Sequence, residues 1–199
     1  MLELVFLRHG ETDSNKKETY LGWTDTDLNE EGIRQAQCAK QKLLDAKFDF
    51  IYSSPLKRAV QTARVLAKGL NTEIIVDNSL KERNFGIWED ITYKEITLRY
   101  PKEHDLWIKD WVNYCIPEGE SCTNLYERVE KFIDDLIMSI HESENISVLI
   151  VTHLGCIRNA ISHLLGMGVE GFWRFKISNC GITKVQIVDN YSVITLLNG

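Results

Sequence analysis

Long apolar runs are missing from this 199-residue sequence: none approaches the roughly 20 residues needed to cross a bilayer, so no membrane partner is expected. Positive charge is also scarce, with 23 lysines and arginines against 29 aspartates and glutamates, a formal net charge of −6. That balance argues against a broad basic face for nucleic acid, and any anion the protein handles must be met by cations gathered locally. Cysteine is limited to Cys38, Cys115, Cys122, Cys156 and Cys180, an odd number with no C-x-x-C pair. These read as reduced, structural thiols of a cytoplasmic protein. The stretch Met1–Arg8 lacks a basic n-region and a small-residue cleavage site, so no secretory signal is expected. Only three prolines and twelve glycines occur, ungathered into any linker, and no repeat or low-complexity tract is visible. One domain spanning residues 1–199 is the expectation. The oligomeric state is left open, a homodimer included.

What is present is an ordinary globular composition, 44% hydrophobic and 26% charged, on a chain long enough to bury a core. Leu2 to Leu7 reads as a buried strand. Residues Asn29 to Lys47 are rich in helix formers. Phe48 to Tyr52 reads as a strand, and Ser54-Pro55 is expected to open a helix, with Ser54 as its cap and Pro55 in the first turn. Thr72 to Val76 is a further strand. The helix carrying Leu125, Val129, Phe132, Ile133, Leu136, Ile137 and Ile140 has apolar residues three and four apart. Ile146 to Val151 is a second buried strand, followed by a helix over Cys156 to Leu165. The tail from Arg174 to Leu197 alternates like two or three strands. Strands alternating with helices predict an α/β fold, a three-layer α/β/α sandwich with a largely parallel central sheet, whose ligands sit beyond the carboxyl ends of the strands.

Two of those strands end alike: Phe6-Leu7-Arg8-His9-Gly10 and Ile150-Val151-Thr152-His153-Leu154-Gly155. In a parallel sheet both histidines emerge at one edge. A lone histidine on an apolar face is more often a satisfied core residue; two at equivalent strand ends, one beside an arginine, point to a site. Phosphoryl transfer needs a nucleophile, positive charge around the equatorial oxygens and an acid for the departing oxygen. His9 suits the first role, because neutral imidazole is well populated above its reference pKa of ~6.5. Arg8 and Arg58 suit the second, since a guanidinium fork matches phosphate bidentately. The aperiodic, aromatic stretch Leu80 to Glu89 reads as an ordered loop, in which Glu82 is a candidate acid and equally a surface carboxylate.

Arg8-His9-Gly10-Glu11-Thr12 resembles the signature of the histidine phosphatase superfamily, the phosphoglycerate-mutase-like enzymes. So do Asn15, the stretch Ser53 to Ala63, Glu82 with Phe85-Gly86-Ile87-Trp88-Glu89, and Val151-Thr152-His153. The resemblance implies the phosphoglycerate-mutase-like fold and metal-independent hydrolysis of a small-molecule phosphate monoester, without metal or organic cofactor. By that resemblance His9 carries the phosphoryl group. Arg8, Asn15, Arg58 and the catalytic His153 hold it, Glu82 moves the proton, and Gly22 falls in the substrate-side loop. Asp90, Leu154 and Glu118 depart from the family pattern, standing where glycine is common.

Trp107 to Trp111, Pro117 to Ser121, Arg128-Val129, Leu164-Leu165-Gly166 and Phe172 to Phe175 resemble alpha-ribazole phosphatases of cobalamin nucleotide-loop assembly. Trp107 and Trp111 would stack on a flat base or simply pack. A broad-specificity phosphatase or a phosphoglycerate mutase of the same family is the nearest alternative. An inactive module that only binds a phosphometabolite is the rival from another class. Cys122 to Arg128 meets the Cys-x₅-Arg spacing of cysteine phosphatases, but lies within an amphipathic helix and without internal glycine. Asp25-Thr26-Asp27 resembles an aspartyl-phosphatase motif, yet follows no apolar strand and reads as a turn starting a helix. His104, His141 and His163 show no metal-ligand spacing.

Overall fold

A computed structural model describes residues 1–140, 145–189 and 191–199; His141 lies outside the described residues. These residues form a mixed α/β fold around a six-stranded sheet of order β3-β2-β4-β1-β5-β6. The strands are β1 (Leu2–Arg8), β2 (Phe50–Ser53), β3 (Ile74–Val76), β4 (Ile146–Thr152), β5 (Ile182–Val188) and β6 (Tyr191–Leu196). Pairs β2·β3, β2·β4 and β1·β4 are parallel, whereas β5 pairs antiparallel with β1 and with β6. The tail thus supplies two strands, and Arg174 falls instead in a 3-10 segment, Val169–Arg174.

Alternation along β1 explains the layering. Leu2, Leu4 and Phe6 pack under α6 (Cys122–Ser139) and α7 (Leu154–Leu164). Val5 and Leu7 face α2 (Glu30–Lys42) and α3 (Lys57–Ala67) on the other side. Strand β4 divides in the same way, Val148 and Ile150 against Leu149 and Val151. Each such buried side chain contributes about 1.5–3 kcal/mol, so a one-residue slip of β1 is prohibitive and the position of His9 is fixed.

Three expectations need correction. Helix α2 starts as read, with Asn29 Oδ1 accepting from Gly32 N at 2.8 Å, but ends at Lys42, short of Lys47. Ser54-Pro55 does not begin α3, whose first residue is Lys57 after an extended Leu56. The Ser54 hydroxyl is taken up across the sheet by His153 Nε2 at 2.8 Å, and Asp25 Oδ1 accepts from Lys57 N at 2.7 Å in its place. The aspartates of the 25–27 stretch therefore serve α3 rather than start α2, since Asp27 Oδ1 also accepts from Gln61 Nε2 at 2.7 Å. Three short helices were not foreseen: α1 (Asp13–Lys16), α4 (Tyr93–Arg99) and α5 (Pro101–Lys109). The last two pack near Trp88, Ile96 and Ile116, a separate apolar cluster that Phe85 and Trp107 join. Among the described residues, no helix is long and apolar enough to cross a membrane.

Candidate active site

Strands β1 and β4 run side by side with Arg8 opposite Thr152, so the next residue of each is a histidine at the carboxyl edge. His9 N donates to Thr152 O at 2.9 Å, and the His9 and His153 rings lie 5.0 Å apart, centroid to centroid. A cavity of about 450 Å³ opens there. Arg8, His9, Asn15 and Glu82 are on its wall, with Arg83, Arg158, Trp111 and Trp173 among the others. Arg58, His153 and Gly22 are buried beside it rather than on the wall.

The tautomer of His9 follows from its partner. Nδ1 lies 2.7 Å from Gly10 O, and a carbonyl only accepts, so Nδ1 carries the proton and Nε2 keeps its lone pair. Burial, then the charges of Arg58 and Arg8, hold the His9 pKa well below the usual imidazole value, so the ring is neutral. A buried neutral imidazole with a free Nε2 is a nucleophile. Gly10 is required where it stands, because a Cβ there would strike the Gly32 backbone at the start of α2. His153 is likewise held neutral, by burial and then by Arg58 and His9.

Cationic charge is concentrated as an acidic protein requires. Arg58 is fully buried and donates to Gly22 O at 2.6 Å and Thr24 O at 3.0 Å. Arg8 donates from Nη1 to Ile177 O at 3.0 Å; burial lowers its pKa to about 10, which leaves it charged at neutral pH. Among the described residues, neither arginine forms an ion pair with a carboxylate, and Arg8 Nε, Arg58 Nε and His153 Nδ1 are buried without a hydrogen-bond partner. Guanidinium donors without a hydrogen-bond partner, with the Glu82 charge acting on both arginines, are suited to an anion. Asn15 commits its Oδ1 to Thr12 N (3.2 Å) and Asn179 Nδ2 (3.3 Å), which leaves its amide donors to the cavity.

Glu82 is buried, with Oε1 accepting from Arg83 N at 2.9 Å and Oε2 from Gly155 N at 3.1 Å. Gly155 makes that approach possible: a Cβ would collide with the carboxylate. Arg128 of α6 grips the backbone on which Glu82 sits, donating to Ser79 O (2.8 Å), Lys81 O (2.6 Å) and Glu82 O (2.8 Å) while pairing with Glu120 at 3.0 Å.

Several residues of the site were missed in the sequence. Arg158 lies one turn into α7 on the cavity wall, its guanidinium stacked over Phe172 (5.2 Å) and Trp173 (5.1 Å). Only its spacing from His153 marked it out, and that signal is weak. Asn179 closes the loop behind His9, donating to His9 O at 3.0 Å. Trp111 lies beside Trp173 (5.8 Å between centroids), whereas Trp107 packs edge-on against Trp88 at 5.9 Å, and both reach the wall. Of the departures from the family pattern, Asp90 and Glu118 have φ of 55° and 63°, the left-handed region that glycine occupies without strain. Leu154 is the first residue of α7 and lines the cavity. Cys122, also on the wall, opens α6, and burial pushes its thiol up to about 11, so the Cys-x₅-Arg spacing carries no thiolate. His163 is occupied by Asp134 (2.7 Å) and Glu130 (3.2 Å), and His104 by Tyr93.

Comparison with known proteins gives the family. Over its full length the chain is 31% identical to phosphoserine phosphatase 1 of Hydrogenobacter thermophilus, covering 92% of that protein. It is 32% identical to the adenosylcobalamin/alpha-ribazole phosphatase of Salmonella typhimurium, over 99% of this chain and 96% of that one. The crystal structure of the alpha-ribazole phosphatase from Shigella flexneri superposes with a TM-score of 0.92 at 31% identity, covering 99% and 96% of the two chains. The family model described as histidine phosphatase superfamily (branch 1) matches residues 4–199. The chain therefore belongs to the histidine phosphatase superfamily, branch 1.

Proposed function

We propose that this protein hydrolyses small phosphate monoesters through a phosphohistidine at Nε2 of His9, with alpha-ribazole 5′-phosphate as its preferred substrate. The observation that carries the mechanism is the Nδ1–H donation of His9 to Gly10 O, which fixes the free lone pair on Nε2. That lone pair attacks phosphorus as the bond to the ester oxygen breaks, and Glu82 is assigned as the general acid that passes a proton to the departing oxygen. Arg8, Arg58, Asn15 and His153 carry the charge of the transferring group. Water then attacks phosphorus, the Glu82 carboxylate takes its proton, and the P–N electron pair returns to Nε2 as orthophosphate leaves. No step calls for a metal or organic cofactor, and the whole chain works as one domain.

The leaving group is assigned to the aromatic end of the cavity, where Trp111 and Trp173 line the wall and suit a flat base. A second reading, phosphoserine, is favoured by Arg158, whose guanidinium on the same wall matches a carboxylate, and by the phosphoserine phosphatases among the relatives. Comparing kcat/KM for alpha-ribazole 5′-phosphate, phosphoserine and 3-phosphoglycerate decides between them. A preference of tenfold or more for alpha-ribazole 5′-phosphate supports the first reading, and the reverse order overturns it. Binding of all three without phosphate release from any of them would leave only a sensor. The five free thiols agree with a reducing cytoplasm as the place of action.

A further inference from the structure

Glu89 stands outside the chemistry just described, yet its carboxylate is the most heavily used acceptor near the site. Oε1 accepts from Trp23 N at 2.7 Å and Phe85 N at 2.9 Å; Oε2 accepts from Gly22 N at 3.1 Å and Thr24 N at 3.0 Å. All four donors are backbone amides, and three are consecutive. The same short loop presents Gly22 O and Thr24 O to the guanidinium of Arg58, at 2.6 and 3.0 Å.

The peptide joining Gly22 to Trp23 connects the two groups directly. In a planar trans peptide the C=O and N–H point in opposite directions. When Trp23 N–H is drawn onto Glu89 Oε1, Gly22 C=O is necessarily turned away from Glu89, and it meets Arg58 Nη2 there. A carboxylate at the N–H end and a guanidinium at the C=O end polarise the same peptide dipole, so each bond strengthens the other. Gly22 has to be glycine for this contact to close, because a Cβ would collide with Arg83 O and the Glu89 carboxylate itself.

We infer that Glu89 is a positioning residue for phosphate: it sets the 22–24 loop whose carbonyls hold Arg58, and so acts on bound phosphoryl without touching it. The inference rests on reading Arg58 as a phosphate ligand, and it goes beyond that reading by assigning Arg58's geometry to one carboxylate that forms no ion pair with it. Glu89→Gln keeps size and shape but replaces one acceptor oxygen with an amide NH2, which cannot accept, so one of the two pairs of backbone donors loses its acceptor.

The test is a double-mutant cycle on inorganic phosphate affinity, measured by calorimetry for wild type, Glu89→Gln, Arg58→Ala and the pair. Glu89→Gln is expected to weaken phosphate about tenfold in the wild-type background and less than about twofold when Arg58 is already alanine. Equal losses in both backgrounds, or unchanged affinity in folded Glu89→Gln protein, would overturn the relay. A merely structural carboxylate would lower the melting temperature and give additive losses. Should the glutamine variant fail to fold, Glu89→Asp enters the same cycle, keeping the charge while withdrawing it by one methylene. Wild-type protein that binds phosphate but releases none from any ester removes the hydrolase reading and leaves this cycle intact. Wild-type protein without phosphate affinity overturns both.

Discussion

Two neutral histidines at the heart of the site give the protein a particular response to acid. Burial first, then Arg58 and, for His9, Arg8, depress the pKa of His9 and His153 well below 6.5, while in the unfolded chain both rings return to about 6.5. Below pH 6.5 the unfolded state therefore binds protons that the native state refuses. Linkage then requires stability to be full above pH 6.5 and to fall as the pH drops. For one ring the loss is about 1.4 kcal/mol at pH 5.5, and it grows by about 1.4 kcal/mol for each further unit until the native ring itself protonates. Carboxylates and the other histidines titrate as well, so the useful quantity is a difference. Urea unfolding of wild type and His9→Asn between pH 7.5 and 5 should give curves that converge in slope above pH 7. On acidification the wild type should lose about 1.4 kcal/mol more than the variant by pH 5.5. Parallel curves across the whole range would refute the neutral, desolvated state of His9, on which the proposed attack rests.

Three further outcomes are expected. Glu82→Gln should slow hydrolysis of alkyl phosphates at least tenfold more than that of an activated aryl phosphate, whose leaving oxygen needs no proton; equal losses would remove Glu82 as the acid. Arg128→Met leaves the carbonyls of Ser79, Lys81 and Glu82 and the carboxylate of Glu120 without their cation, and should cost about 3 kcal/mol in urea unfolding; a loss under about 1 kcal/mol would show that the grip on the Glu82 segment is dispensable. Trp111→Ala should raise KM for esters with an aromatic base several-fold and leave KM for phosphoserine unchanged; a uniform change would place Trp111 in packing alone.

Strand ends and the meeting of the two histidines were legible because they rest on short-range chemistry. An apolar run that stops at a histidine declares both a buried strand and its carboxyl end, and the parallel pairing of β1 with β4 then sets His9 beside His153. Helix α6 was legible for the same reason, its apolar spacing being intact over five turns. The start of α3 was misread because its cap comes from Asp25, 32 residues away, while the obvious local hydroxyl of Ser54 had a better partner in His153. Helices α4 and α5 escaped notice because they are short and largely exposed, with only Tyr100 between them and Pro101 opening the second. The place of Arg158 on the wall and the amide contacts of Glu89, a residue of the Phe85–Glu89 motif, escaped for a different reason. Their roles depend on which cation or amide lies across the cavity or loop, and no spacing along the chain encodes that. Asp90 shows the limit from the other side: its departure from glycine was visible, but only the fold shows Ser14 and Thr19 donating to its carboxylate at 2.7 and 2.9 Å, which ties down the segment before Tyr20.

The most direct measurement is to quench the enzyme in mid-turnover with a ³²P-labelled ester and locate the label by digestion and mass spectrometry under conditions that preserve N–P bonds. Label on the imidazole of His9, stable to alkali, lost in acid and absent from His9→Ala protein, is the predicted result. Steady release of orthophosphate with no label on that ring, or with label on a carboxylate or thiol, would contradict it.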